Sequence, residues 1–119
     1  MPVSIPGPVD SPDDIRLALR SWPEVERYLE SCKGIIIPLG STEQHGPTGA
    51  IGTDALTAEA VSLAVGRRSG VLVTPAQCFG MAEHHLGFAG TMSLQPATLL
   101  AVLHDLCSPW HAMASSGCS

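Results

Sequence analysis

The most restrictive stretch of this chain is Ile35-Ile36-Ile37-Pro38-Leu39, an apolar run with no alternating polar face that Gly40 closes at once. Such a run suits a strand covered on both faces of a parallel sheet better than the half-exposed strand of a hairpin. A parallel strand needs a crossover to its partner, and the sequence supplies one. The polar, Gly-rich stretch 40–53 leaves the strand, and Thr53 is placed to cap a helix through Arg67 with Leu56, Ala60, Leu63 and Ala64 on its apolar side. Gly66 and Gly70 are expected to end that helix, and Val71-Leu72-Val73-Thr74 reads as a second short strand before Pro75. Strand, helix and strand in this order form a right-handed βαβ unit, so the expected fold class is α/β.

The flanks are read in the same way. Residues 1–10 carry Pro2, Pro6, Gly7 and Pro8 and are expected to be an irregular tail. Ser11-Pro12-Asp13-Asp14 has the hydroxyl, proline and acids of a helix start. A second start follows at Ser21-Trp22-Pro23-Glu24, with Val25, Tyr28, Leu29 and Cys32 on one face. Beyond the second strand, Ala76 to Ser93 is a long loop holding Gly80, His84, His85, Gly87 and Gly90. Pro96 opens a last helix with Leu99, Leu100, Val102, Leu103 and Leu106 on its apolar side, and Ser108-Pro109 is expected to break it. Two parallel strands do not make a stable doubly wound domain, so the sequence reads as the front half of one.

Charge narrows the function classes. Eleven acids against six bases give a net charge of −5, and the last base is Arg68. Without a basic cluster the chain is not expected to bind nucleic acid. Nor does any run approach the roughly 20 apolar residues of a membrane span, and no leader-like start is present, so a cytoplasmic protein is expected. After Arg68 only Glu83 and Asp105 are charged, which reads as surface made to be covered. Cys32, Cys78, Cys107 and Cys118 are widely spaced and fit isolated thiols.

The chemistry concentrates in the loop Gly40-Ser41-Thr42-Glu43-Gln44-His45-Gly46-Pro47 and in Asp54 at the next helix start. On extended backbone Glu43 and His45 point the same way, and sites in open α/β sheets form beyond the carboxyl ends of strands. Two carboxylates and an imidazole converging there suit Zn²⁺ or Mn²⁺, with one carboxylate able to bridge two ions. The same residues also fit a helix cap and a solvated loop, and spacing alone does not decide between them.

The stretch Ile36 to Pro47 followed by Gly52-Thr53-Asp54 resembles the signature of the creatininase (creatinine amidohydrolase) family. A second match is Gly80-Met81-Ala82-Glu83-His84-His85 with Phe88, Gly90-Thr91-Met92-Ser93-Leu94 and Thr98-Leu99. The resemblance implies a three-layer α/β/α domain with a parallel sheet, cut off here after about two strands. It further implies a hydrolase with a binuclear Zn²⁺ or Mn²⁺ centre that opens cyclic or linear amides of small molecules, and full-length relatives that assemble as homo-oligomers, often hexamers. Carried over by position, Glu43 binds one metal, His45 the other, and Asp54 bridges them. Gln44 and Ser41 hold the loop, and His85 faces the substrate. His84 and His85 equally fit hydrogen-bonded loop histidines.

The chain departs from the family pattern at Thr48, Gly49, Ala50 and Ala82, positions that line the site in the family, so creatinine itself is not assumed as substrate. Family members also continue with an Asn-Gly-His motif and a later glutamate that supply further ligands, and neither occurs here. Residues 11–107 are accordingly expected to be the N-terminal half of the domain. Residues 108–119 are expected to be an aberrant tail, since their implied codons, read two bases on, are compatible with the segment relatives carry there. Two expectations follow: a metal-dependent amidohydrolase by descent, inactive as this chain alone, or a non-catalytic fragment, pseudoenzyme or partner-completed subunit.

Overall fold

The computed structural model describes residues 15–116. Three helices dominate it: α1 (Trp22–Ser31), α2 (Thr53–Ser69) and α3 (Pro96–Ser116). Short 3₁₀ turns lie at Leu17–Leu19 and Glu83–His85. The segments read as strands are extended and paired in parallel, but through isolated bridges rather than continuous ladders, Ile36 with Val73 and Leu39 with Gln77. Proline explains the interruption. The Ile36 amide donates to Leu72 O at 2.9 Å and Thr74 N donates to Ile36 O at 2.9 Å. The next donor on that edge belongs to Pro38, which has none. Pairing resumes only where Gln77 N donates to Pro38 O at 2.8 Å, one residue later than an even parallel register gives.

Val73 has a second parallel partner that the sequence reading lacked. Its amide donates to Ile15 O at 2.7 Å, and Leu17 N donates to Val73 O at 2.9 Å. The helix start expected at Ser11 to Asp14 lies outside the described residues, and Arg16, between Ile15 and the 3₁₀ turn that begins at Leu17, is extended and bridged to Val73. The apolar run of Ile35 to Leu39 is also less covered than expected: only Pro38 is buried, and Leu39 is 44% exposed. Ile35 and Ile37 instead line a cleft of about 440 Å³ with Leu17, Leu106, Trp110 and Met113.

The core is Ile15, Tyr28, Leu29, Leu63, Leu72, Val73 and Ala114. Tyr28, on the face of α1 marked out by periodicity, is its polar centre. Its hydroxyl donates to Gly34 O at 2.7 Å, accepts from Leu72 N at 3.1 Å and lies 3.0 Å from Cys32 Sγ. Burial, and then the contact with Cys32, push its pKa well above the usual phenol range. At the start of α1, Ser21 Oγ donates to Glu24 Oε1 at 2.9 Å instead of accepting from the backbone, and that bond lowers the Glu24 pKa.

α2 corrects three expectations. Its cap is Gly52, not Thr53, because the Thr53 hydroxyl donates to Ala50 O at 2.6 Å. Its buried residues are Ala55, Leu63 and Gly66, so of the expected face of Leu56, Ala60, Leu63 and Ala64 only Leu63 is buried in the core; Leu56 is 61% exposed. Gly66 does not end the helix: a Cβ there would lie 2.7 Å from Val73 Cγ2 and 2.8 Å from Val71 O, so its hydrogen side chain lets α2 sit against the paired segment. Gly70 does end it, at φ 73°, a left-handed position that favours glycine. α3 likewise runs through Pro109 to Ser116 instead of stopping at Ser108-Pro109. Its C-terminal half is anchored from the side by Trp110, whose indole N–H donates to Lys33 O at 2.9 Å while the ring packs on the core.

Candidate metal centre

Two elements converge on Glu43, His45 and Asp54. The loop after Leu39 turns back on the start of α2 so closely that a Cβ on Gly40 would collide with the backbone of Asp54 and Ala55. That contact brings Asp54, in the first turn of α2, beneath the Glu43 loop. Glu43 N donates to Ile51 O at 3.1 Å and closes the loop. Gly46 takes φ 79°, and Gly49 lies against the His45 backbone where a side chain would not fit. Gly49, one of the departures from the family pattern, therefore has a local steric role in this chain.

His45 Nδ1 lies 3.1 Å from Glu43 O. A carbonyl only accepts, so Nδ1 carries the proton and Nε2 faces Asp54 Oδ1 at 3.2 Å. Hydrogen bonding to the Glu43 carbonyl, with lesser help from the Asp54 and Glu43 charges, raises the His45 pKa above the ordinary histidine value. One ligand atom each from Glu43, His45 and Asp54 lies within 4.8 Å of the others. Two donors bound tetrahedrally at about 2.0–2.1 Å sit roughly 3.3 Å apart, and the Nε2 to Oδ1 separation of 3.2 Å meets that requirement. The donor set, two carboxylates and an imidazole whose distal nitrogen is already held by a carbonyl, fits a divalent transition metal.

Glu43, His84 and His85 form a second group within the same span, but hydrogen bonding disfavours it. Gly46 N donates to Gln44 Oε1 at 2.9 Å, which fixes the amide's orientation. Gln44 Nε2 then donates to His85 Nδ1 at 2.8 Å. That ring nitrogen is occupied, and the proton sits on Nε2, 3.7 Å from Glu43 Oε2. His84 is exposed, its ring centroid 4.0 Å from that of His85.

The loop containing His85 is tied to the Glu43 loop by contacts that no local pattern announces. Thr42 Oγ1 donates to Cys78 O at 2.7 Å, Met92 N to Thr42 O at 3.0 Å, and Gln44 N to Thr91 Oγ1 at 3.1 Å. Ser41 lies against Gly80, where a Cβ would meet its Oγ at 2.6 Å. A cleft of about 430 Å³ opens beside His45, between Pro47, Ile51 and Phe88.

The family model for creatinine amidohydrolase matches residues 18–117. The chain belongs to the creatininase family. Among curated creatininase-family relatives, it is 41% identical over 78 residues to the mycofactocin precursor peptide peptidase of Mycobacterium ulcerans (strain Agy99), covering 58% of this chain and 31% of that protein. It is 32% identical over 92 residues to the creatinine amidohydrolase of Pseudomonas putida, covering 72% of this chain and 35% of that protein. A crystal structure of creatinine amidohydrolase superposes with a TM-score of 0.78 at 27% identity, over 84% of this chain and 41% of that one. Creatininase structures of manganese and zinc–zinc types superpose comparably, with TM-scores of 0.76 and 0.75, which supports a divalent metal in the family. This chain thus spans about a third of the length of those curated creatininase-family proteins.

Proposed function

We propose that this chain contributes ligands to the metal centre of an amidohydrolase, with Glu43 on one ion, His45 on a second and Asp54 between them. The observation that carries the reading is the donor geometry: Nε2 of His45 and Oδ1 of Asp54 lie 3.2 Å apart with Glu43 in reach, and the far side of the imidazole is pinned by a carbonyl. Divalent zinc or manganese at such a site supplies Lewis-acid polarisation of an amide carbonyl and makes a water acidic enough to attack it near neutral pH. The chain's own residues do the rest. The Glu43 carbonyl holds the His45 ring in the ligating tautomer, the close approach at Gly40 positions Asp54, and the Gly46 to Gly49 turn leaves the cleft by Phe88 open. To His85, which lies beside Glu43 and is bonded to Gln44, we assign the side of the site that faces a substrate.

The substrate class is a cyclic or linear amide of a small molecule, in a domain of three α/β/α layers around a parallel sheet, working as a homo-oligomer in the cytoplasm. Among the described residues, no helix is long and apolar enough to cross a membrane. A second reading, a fragment without turnover that needs further chain to complete its site, is supported by a different observation. Only Ala114 of α3 is buried, and Leu100 stands 69% exposed. Three shared protein ligands also fall short of the three per ion usual for catalytic zinc. We therefore expect the 119-residue chain to bind metal and not to turn over alone.

Metal content by mass spectrometry together with a cyclic-amide hydrolysis assay separates the readings. Stoichiometric zinc or manganese without hydrolysis is the expected result. Hydrolysis by the isolated chain overturns the expectation of inactivity, and a folded chain that retains no metal overturns the metal site itself.

A further inference from the structure

The chain of hydrogen bonds behind Glu43 has a direction. Gly46 N–H can only donate, so Gln44 presents its carbonyl to Gly46 and its amino group to His85 Nδ1, at 2.9 and 2.8 Å. An amino group can only donate, so His85 Nδ1 accepts and Nε2 keeps the proton. The protonated Nε2 faces Glu43 Oε2 at 3.7 Å, longer than a closed hydrogen bond but within reach of a small shift of either side chain. The opposite tautomer would set two N–H groups against each other at Gln44 and a lone pair against a carboxylate at Glu43. Both faces of the ring therefore favour one proton position.

The geometry points to Gln44 as a positioning residue that acts through His85 on Glu43. Gln44 fixes the His85 tautomer, and the resulting N–H orients the Glu43 carboxylate toward the ions. The second half of this inference rests on the metal reading above; the first does not. His85 is by this account a donor to a ligand, not itself a ligand, although Glu43, His84 and His85 come close enough together to suggest a metal trio. Gln44 Nε2 blocks Nδ1, and releasing Nε2 for metal would require the amide to turn and abandon Gly46.

The test uses the full chain, labelled with ¹⁵N at histidine, in the metal-free state at alkaline pH where imidazoles are neutral. Wild type is expected to show His85 protonated at Nε2 and bare at Nδ1. Gln44→Glu keeps the side-chain length and the Gly46 contact but replaces the donor with an acceptor, so His85 Nδ1 becomes protonated. Gln44→Met, which holds neither bond, gives a mixture of tautomers. A role in packing alone would leave the ring nitrogens unmoved. A wild-type His85 protonated at Nδ1, or a Gln44→Glu variant still bare there, overturns the relay, and the wild-type spectrum decides this even if a variant fails to fold. Cobalt(II) titration followed by its visible absorption then reads the effect on Glu43. Both variants are expected to bind about 10-fold more weakly, as for partners that orient a ligand. Unchanged affinity with a moved proton overturns the positioning of Glu43. A wild type that binds no cobalt overturns the metal reading and the positioning with it, while the nitrogen shifts still decide the tautomer.

Discussion

Around Tyr28 the chain buries apolar side chains about one fully committed hydroxyl, whereas around Glu43 it gathers ionisable groups that stay partly wet. Tyr28 is 1% and Leu72 0% exposed. The side chains of His45 and Asp54 are 30% and 38% exposed. Burial stabilises the first region, since each large apolar side chain removed from water contributes about 1.5–3 kcal/mol. The second region contributes little of that kind, and its groups are set by backbone constraints: glycines at 40, 46 and 49, and hydrogen bonds from loop to loop. The two regions meet through α2, whose Gly66 packs on Val73 in the core and whose first turn carries Asp54. Stability and metal affinity should therefore respond to different substitutions.

The largest expected effect is in the core. Leu72→Ala should cost about 2–5 kcal/mol in urea unfolding; a cost below about 1 kcal/mol would mean that the described burial is not what holds the chain. Second is the site. His45→Ala should weaken zinc or cobalt binding by about 100-fold or more, since even the partners of ligands are worth 10–100-fold. Its unfolding free energy should stay within about 0.5 kcal/mol of wild type, as for other exposed substitutions. A metal affinity left intact would erase the distinction between the regions. Third, Tyr28→Phe keeps the ring and removes the hydroxyl that serves Gly34 O and Leu72 N, so a loss of about 1–3 kcal/mol is expected with unchanged metal affinity.

The smallest effect is electrostatic. The His45 pKa is raised chiefly by the Glu43 carbonyl and further by Asp54. In the metal-free protein this binds a proton more tightly in the folded state. The resulting stabilisation is present below the unfolded histidine value and is lost as pH rises through the raised one. It should be slight, because the site is open to solvent. An NMR titration of His45 should place its midpoint above the ordinary histidine value and bring it down in Asp54→Asn; a midpoint at or below that value contradicts the described hydrogen bonding.

Local patterns were legible where one residue type does one job. The α1 face through Tyr28 and Leu29, the opening of α3 at Pro96, and the convergence of Glu43, His45 and Asp54 could all be read from spacing and motif. What escaped depends on partners far along the chain. Ile15 to Leu17 pairs with Val73 across more than fifty positions, which no helix-start signal can reveal. The packed face of α2 uses Ala55 and Gly66 beside Leu63 because close approach favours small residues, and periodicity counted from Leu56 found only Leu63 of that face. Pro109 normally ends a helix, but Trp110 bonded to Lys33 holds α3 beyond it. The Gln44 to His85 bond joins two loops 41 residues apart, and only the Gly46 amide reveals which way it runs.

The most direct test of the metal centre is equilibrium dialysis of the chain against zinc, compared with Asp54→Asn, with circular dichroism to verify that both are folded. Wild type should retain zinc stoichiometrically and Asp54→Asn should lose it without loss of helix. A folded wild type that retains no more zinc than the variant would contradict the assignment of Glu43, His45 and Asp54 as ligands.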